Sequence, residues 1–232
     1  MQGLREFWQG FRGLPSAWLL LLQFCILILS LASNDSSSYR ALTWALGVLV
    51  LLVIAKVIRY TPMFTILGLS FVGGALIFSL LILLGAHSPA LQVIAHAFEA
   101  AAYLSAAYGL LRYMFADRYL TKDELFAAGA VFTLLAWAFA FLYSICQQIY
   151  PMSFQNSNHP EALQSWLDLL FLSFSLQSAT GLSDLIPLHP AARVLAMLQM
   201  FCGVMYLALI VSRLIALQYI AYLPNQHKDG DK

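Results

Sequence analysis

The chain reads as an all-α integral membrane protein: six transmembrane helices, with a re-entrant helix and loop between helices five and six. Three observations predict this. First, 61% of the 232 residues are hydrophobic and only 10% are charged, against about 25% charged in an ordinary soluble domain. Second, the apolar residues gather into six runs of 18 to 33 residues, where a helix needs roughly 20 to cross a bilayer. Third, the stretch 168–187 between the last two runs is largely apolar, yet too short and too interrupted to cross.

The six runs are 15–33, 41–58, 63–85, 90–111, 125–147 and 190–222. The first follows Arg5 and Arg12 and ends in Leu31-Ala32-Ser33, the pattern of a secretory signal. Its apolar core is longer than a usual signal core, which favours a spanning helix. Asn34 to Arg40 reads as a polar outer turn, and the sequon Asn34-Asp35-Ser36 lies so close to the membrane that it is incidental. Arg59-Tyr60-Thr61-Pro62 makes a tight turn in which proline opens the third helix. His87-Ser88-Pro89 closes the next one, and Thr121-Lys122-Asp123-Glu124 has the form of a capping box before helix five. Gln147 to Gln164, with Pro151 and Pro160, reads as a turret, and Leu223 to Lys232 as a disordered tail.

Lysine and arginine near the span ends set orientation. With the N-terminus inside, Arg5, Arg12, Lys56, Arg59, Arg112, Arg118, Lys122, Arg213, Lys228 and Lys232 collect on one side, and only Arg40 and Arg193 on the other. Both termini are therefore expected in the cytoplasm, with the re-entrant stretch entering from outside. The expected location is the plasma membrane, or the inner membrane if the source is bacterial. The chain divides into a four-helix region (1–122), an outer helix, re-entrant loop and inner helix (123–223), and a tail (224–232).

The re-entrant stretch reads DLLFLSFSLQSATGLSDLIP, with small residues, a glycine and an acid at its centre. Irregular backbone at membrane depth is tolerated only where protein buries it or where it lines a water-filled path. Laid without a gap against the pattern D-A-L-Y-F-S…T-T-V-G-Y-G-D-I-x-P, it aligns Asp168, Ser173, Gly181, Asp184 and Pro187. Arg193 and Gly203 follow at the spacing of a basic residue and a glycine in the next helix. On these residues the segment from Asp168 to Tyr219 resembles the pore module of the potassium-channel superfamily, in its small bacterial form.

The resemblance implies a homotetrameric cation channel in a lipid bilayer. Its selectivity filter would be Ala179, Thr180, Gly181, Leu182, Ser183 and Asp184, its gating hinge Gly203, and its pore-lining residues Val204, Leu207 and Val211. No cofactor, metal or catalytic residue is implied, only a permeant monovalent cation, potassium or sodium. Three departures imply weak or altered selectivity. Ala179 lacks the family's threonine hydroxyl, and Leu182 lacks the tyrosine tie to the pore helix. Ser183 stands where a second glycine would be left-handed, at a penalty of roughly 1–2 kcal/mol. The TGLS string is also similar to loops of the potassium-uptake transporters, which carry four such loops per chain where this chain has one.

Two rivals follow from the residues. A degenerate filter fits a non-conducting, channel-like regulatory subunit. His96, Glu99 and Tyr103 share a face of the fourth run, and an ionisable group inside a membrane is a functional candidate by default. That face could serve a transporter, or hold helices together. The same run has arginine only at its inner end, Arg112, too few charges for steep voltage sensing. Asp168 and Asp184 lie on one segment, unlike a pair of protease aspartates, and Ser183 has no histidine at its depth. The histidines His87, His96, His159 and His189 do not pair as haem ligands, and no basic run points to nucleic acid. Cys25, Cys146 and Cys202 sit singly in apolar runs, as packing residues do.

Overall fold

The computed structural model describes residues 15–31, 49, 52, 65–85, 88–116, 122–156 and 163–222. Six helices and one two-stranded ribbon occupy them. In order they are α1 (Pro15–Leu31), α2 (Thr65–Leu83), α3 (Pro89–Ala116), α4 (Lys122–Ile149), β1 (Phe154–Asn156), α5 (Trp166–Gln177), β2 (Leu185–Pro187) and α6 (Pro190–Tyr222). The ribbon is a departure from the purely helical expectation. The second expected span, the Arg59–Pro62 turn, the sequon, Thr121 of the capping box, His87, His159 and the tail lie outside the described residues, Leu49 and Leu52 excepted.

Among the described residues two helices contain stretches long and apolar enough to cross a membrane, Asp123–Ile149 in α4 and Pro190–Ala216 in α6. The apolar parts of α1 and α2 are shorter, Ser16–Ile28 and Ile66–Ile82. With His96, Glu99 and three tyrosines among its residues, α3 is long but less apolar.

At the centre stands α4. Its alanines Ala127, Ala130, Ala138 and Ala140 and those of α3, Ala102, Ala106 and Ala107, are fully buried. Small side chains let backbones approach closely, the usual basis of helix association in membranes. On another side α1 runs parallel to α4. Ser16 donates from its backbone N and Oγ to the two carboxylate oxygens of Asp123 (3.3 and 3.1 Å). Further along, Thr133 donates to Gln23 Oε1 (2.5 Å). Apolar all round, α2 packs on α3 through Phe71, Phe78 and Phe98 and leaves Ile66, Leu67 and Ile77 exposed.

The short helix α5 is wedged between α4 and α6. Ser165 caps its start, accepting from the Asp168 N–H (3.2 Å) and donating to Asp168 Oδ2 (2.7 Å). That satisfies one of the amide donors that every helix start leaves open. Trp166 packs on Phe141 and Trp137 of α4. Beyond α5 the chain reverses and returns to the same end of the bundle as β2. There β2 pairs antiparallel with β1, Phe154 opposite Pro187 and Asn156 opposite Leu185. The expected turret is therefore partly strapped to the return path. Leu188 N–H donates to Ser153 O (2.8 Å), and the His189 ring stacks on Tyr150 at 4.2 Å.

Candidate functional site

The reversal after α5 is the candidate site. Ser178 caps α5, donating its N–H to the carbonyls of Leu176 and Phe174. The carbonyl of Ser175 then gathers the loop, accepting from the N–H groups of Thr180 (3.0 Å) and Gly181 (3.3 Å) and from Thr180 Oγ1 (3.3 Å). Ser175 Oγ accepts from the Ser183 N–H (3.2 Å). One buried serine thus anchors both limbs of the turn. Tight reversal needs left-handed backbone, and it is found at Ala179 (φ 59°) and Gly181 (φ 68°). Gly181 accepts that conformation freely. The left-handed non-glycine residue expected at Ser183 is instead Ala179: the reversal is made at Ala179 and Gly181, and Ser183 lies beyond it on the returning limb.

Ala179, Thr180, Gly181, Leu182 and Asp184 are exposed and Ser183 is half-buried. Leu182 points away from the chain, 71% exposed. Ser178 Oγ lies 3.0 Å from Thr180 Oγ1 and donates to Phe174 O (2.7 Å). Both hydroxyls can therefore spend their protons on the end of α5 and keep lone pairs outward. Among the described residues Asp184 makes no hydrogen bond to α5. Arg193, one turn into α6, donates from Nε to Pro187 O (3.1 Å) and steadies the exit of the loop.

Below the loop, Val204, Leu207 and Val211 lie on an exposed apolar strip of α6. Gly203 is different. It is buried, and a Cβ there would collide with the carbonyl oxygen of Gln177 and lie 2.8 Å from its Cα. Glycine is required at this point because α6 touches the backbone of α5.

Behind the loop sits a polar cluster that the sequence reading passed over. Tyr143, Ser173, Gln177 and Gln199 are all at most 1% exposed. Tyr143 OH donates to Gln199 Oε1 (2.5 Å), and Gln199 Nε2 reaches Ser173 Oγ (2.5 Å), Ser173 O (3.0 Å) and Gln177 Oε1 (3.2 Å). Ser173 Oγ donates to Ala136 O and Gln177 Nε2 to Phe132 O, each at 2.6 Å. The signal was available: Gln177 and Gln199 are isolated amides in apolar runs, and a buried amide must find partners or forfeit about 1–3 kcal/mol.

Residues 129–218, from α4 through the ribbon, α5 and the loop to α6, match the family model described as "Ion channel". The match supports a pore module of the potassium-channel-superfamily type over these residues. No curated protein and no solved structure matched the chain. The described helices α1, α2 and α3 lie outside the match.

Among those helices, His96 Nδ1 lies 2.9 Å from Glu99 Oε2, and Ser79 of α2 donates to Glu99 Oε1 (3.1 Å). The third residue of that expected face, Tyr103, is buried and stacks on Trp137 at 5.9 Å. At the opposite end of the bundle from the ribbon, Arg213 of α6 lies 3.6 Å from Glu124 and over the Phe115 ring at 4.9 Å. The glutamate expected in a capping box is thus engaged with the far end of the pore module.

Proposed function

We propose that four copies assemble around an axis as a cation channel with weak or altered selectivity among monovalent cations. The observation that carries this is the loop 178–184. Its backbone is bent at Ala179 and Gly181, exposed on one side and anchored from behind through Ser175. A single loop cannot enclose a path, and closed cyclic assembly is the usual way for a homo-oligomer to supply the remaining sides.

In that assembly the carbonyls of Thr180, Gly181, Leu182 and Ser183 take the place of an ion's hydration shell. Ser178 and Thr180 supply hydroxyl oxygens where Ala179 cannot. Asp184 forms an acidic ring at the entrance, which attracts cations. Val204, Leu207 and Val211 make an apolar cavity that can close by dewetting. Gly203, held against Gln177, is the pivot below which α6 bends. Six spans, both termini in the cytoplasm and a plasma-membrane setting complete the reading.

The test is the reversal potential of the reconstituted chain under opposed potassium and sodium gradients, with Gly181→Val as the variant. Cation current from the native chain, lost in the variant, is expected. A second reading, a transporter, draws on the His96–Glu99–Ser79 hydrogen bonds between α2 and α3. Activity that Glu99→Gln removes and Gly181→Val leaves untouched would establish that reading in place of the channel.

A further inference from the structure

The polar cluster behind the loop has an order that packing alone does not require. Ser173 and Gln177 are four residues apart on α5, and their partners Ala136 and Phe132 are four apart on α4, in the reverse direction. Four residues is about one helical turn. Two hydrogen-bonded rungs, one turn apart, therefore lock antiparallel α5 onto α4. Gln199, from α6, hydrogen-bonds to both rungs: Nε2 meets Ser173 on the upper and Gln177 on the lower.

The donor directions are mutually consistent. Tyr143 donates to Gln199, Gln199 to Ser173 and Gln177, and these two to the α4 carbonyls. None of the four side chains is charged at neutral pH, so the network keeps its geometry whatever ion stands in the path. Its lower rung ends at Gln177, the last residue of α5 and the one before the exposed turn. The Gln177 backbone is also the surface against which Gly203 is packed. Where the turn starts is thus fixed from α4 through Nε2, from α6 through Gln199, and from α6 again through the glycine contact.

We infer that Gln199 is a positioning residue for ion selectivity, acting through Gln177 without touching the ion. The inference rests on the channel reading. In a chain whose Leu182 cannot tie the loop to the pore helix, this amide supplies the rigidity from behind. A purely structural role would change how many channels form, which alters current size. A positioning role changes which cation passes, which alters the reversal potential, and that quantity does not depend on channel number.

The experiment measures potassium-to-sodium permeability ratios for the native chain, Gln199→Leu and Tyr143→Phe. Gln199→Leu keeps the volume and removes both the donor and the acceptor. The ratio is expected to change roughly three- to tenfold, the scale of one lost hydrogen bond. Tyr143→Phe, which leaves the fold packed and removes one hydroxyl, is expected to shift it in the same direction by less. The double variant is expected to shift it no further than Gln199→Leu alone, because both changes cut one chain of bonds. Should Gln199→Leu fail to fold, Tyr143→Phe decides alone. Conducting variants with the native reversal potential would overturn the inference and leave the channel standing. A native chain that passes no current would remove both.

Discussion

Helices α4 and α6 are made of similar material and end in opposite surroundings. Each carries a 27-residue apolar stretch, but most of that of α4 is buried within the chain and most of that of α6 is not. Around α4 stand α1, α3, α5 and α6. Among the described residues α6 buries one edge, through Ala192, Ala196, Gln199, Gly203, Tyr206 and Ile210. The other sides show Met197, Phe201, Val204, Leu207 and Val211. Hydropathy says that a residue leaves water; it does not say whether lipid, its own chain or another copy receives it.

The largest expected effect sharpens that contrast directly. Leu134 of α4 is fully buried, so Leu134→Ala should lower unfolding stability in detergent by about 3 kcal/mol, within the usual range for a buried leucine. Leu207→Ala on α6 should leave the isolated chain within about 0.5 kcal/mol of native, because its side chain is exposed. Equal losses in the isolated chains would show that α6 is covered from within.

The next effect lies where α6 does meet its own chain. Gly203→Ala pushes a methyl group into the Gln177 backbone, and over-packing of this kind costs about 1–3 kcal/mol. Gly73 of α2 has open space at its Cβ position, so Gly73→Ala should cost nothing and serves as the matched control. A Gly203→Ala protein as stable as the Gly73→Ala protein would mean that α6 does not press on α5.

The smallest effect is at the far end of α6, where Arg213 reaches Glu124 of α4. A double-mutant cycle with Glu124→Gln and Arg213→Gln should give a coupling of about 1 kcal/mol, as groups in contact do. Additive losses would show the two helix ends to be independent.

Much of this was legible beforehand. The runs from 15, 63, 90, 125 and 190 correspond to the helices α1, α2, α3, α4 and α6, because each is a long apolar stretch bounded by turn residues. The reversal around Gly181 was legible because glycine and small residues interrupt an apolar stretch there. The β1–β2 ribbon was not: three-residue strands with a long intervening segment have no periodicity to read. Nor was the left-handed Ala179, since alanine carries no local mark of that conformation and takes it only because Ser175 gathers the loop around it. Arg213 was read as a charge that orients the chain, and its pairing with Glu124 joins residues far apart in sequence.

By itself the sequence determined that the chain belongs in a membrane, where its helices run and where its backbone turns back. Those properties are local: each depends on a window of neighbouring residues and on what lipid will accept. Only the tertiary structure decided that Gly203 is a contact point, that Gln199 bridges two rungs, and that one long helix is enclosed while the other is open. Such facts depend on distances between segments, and an amide or a glycine reads the same in a sequence whichever backbone it will meet.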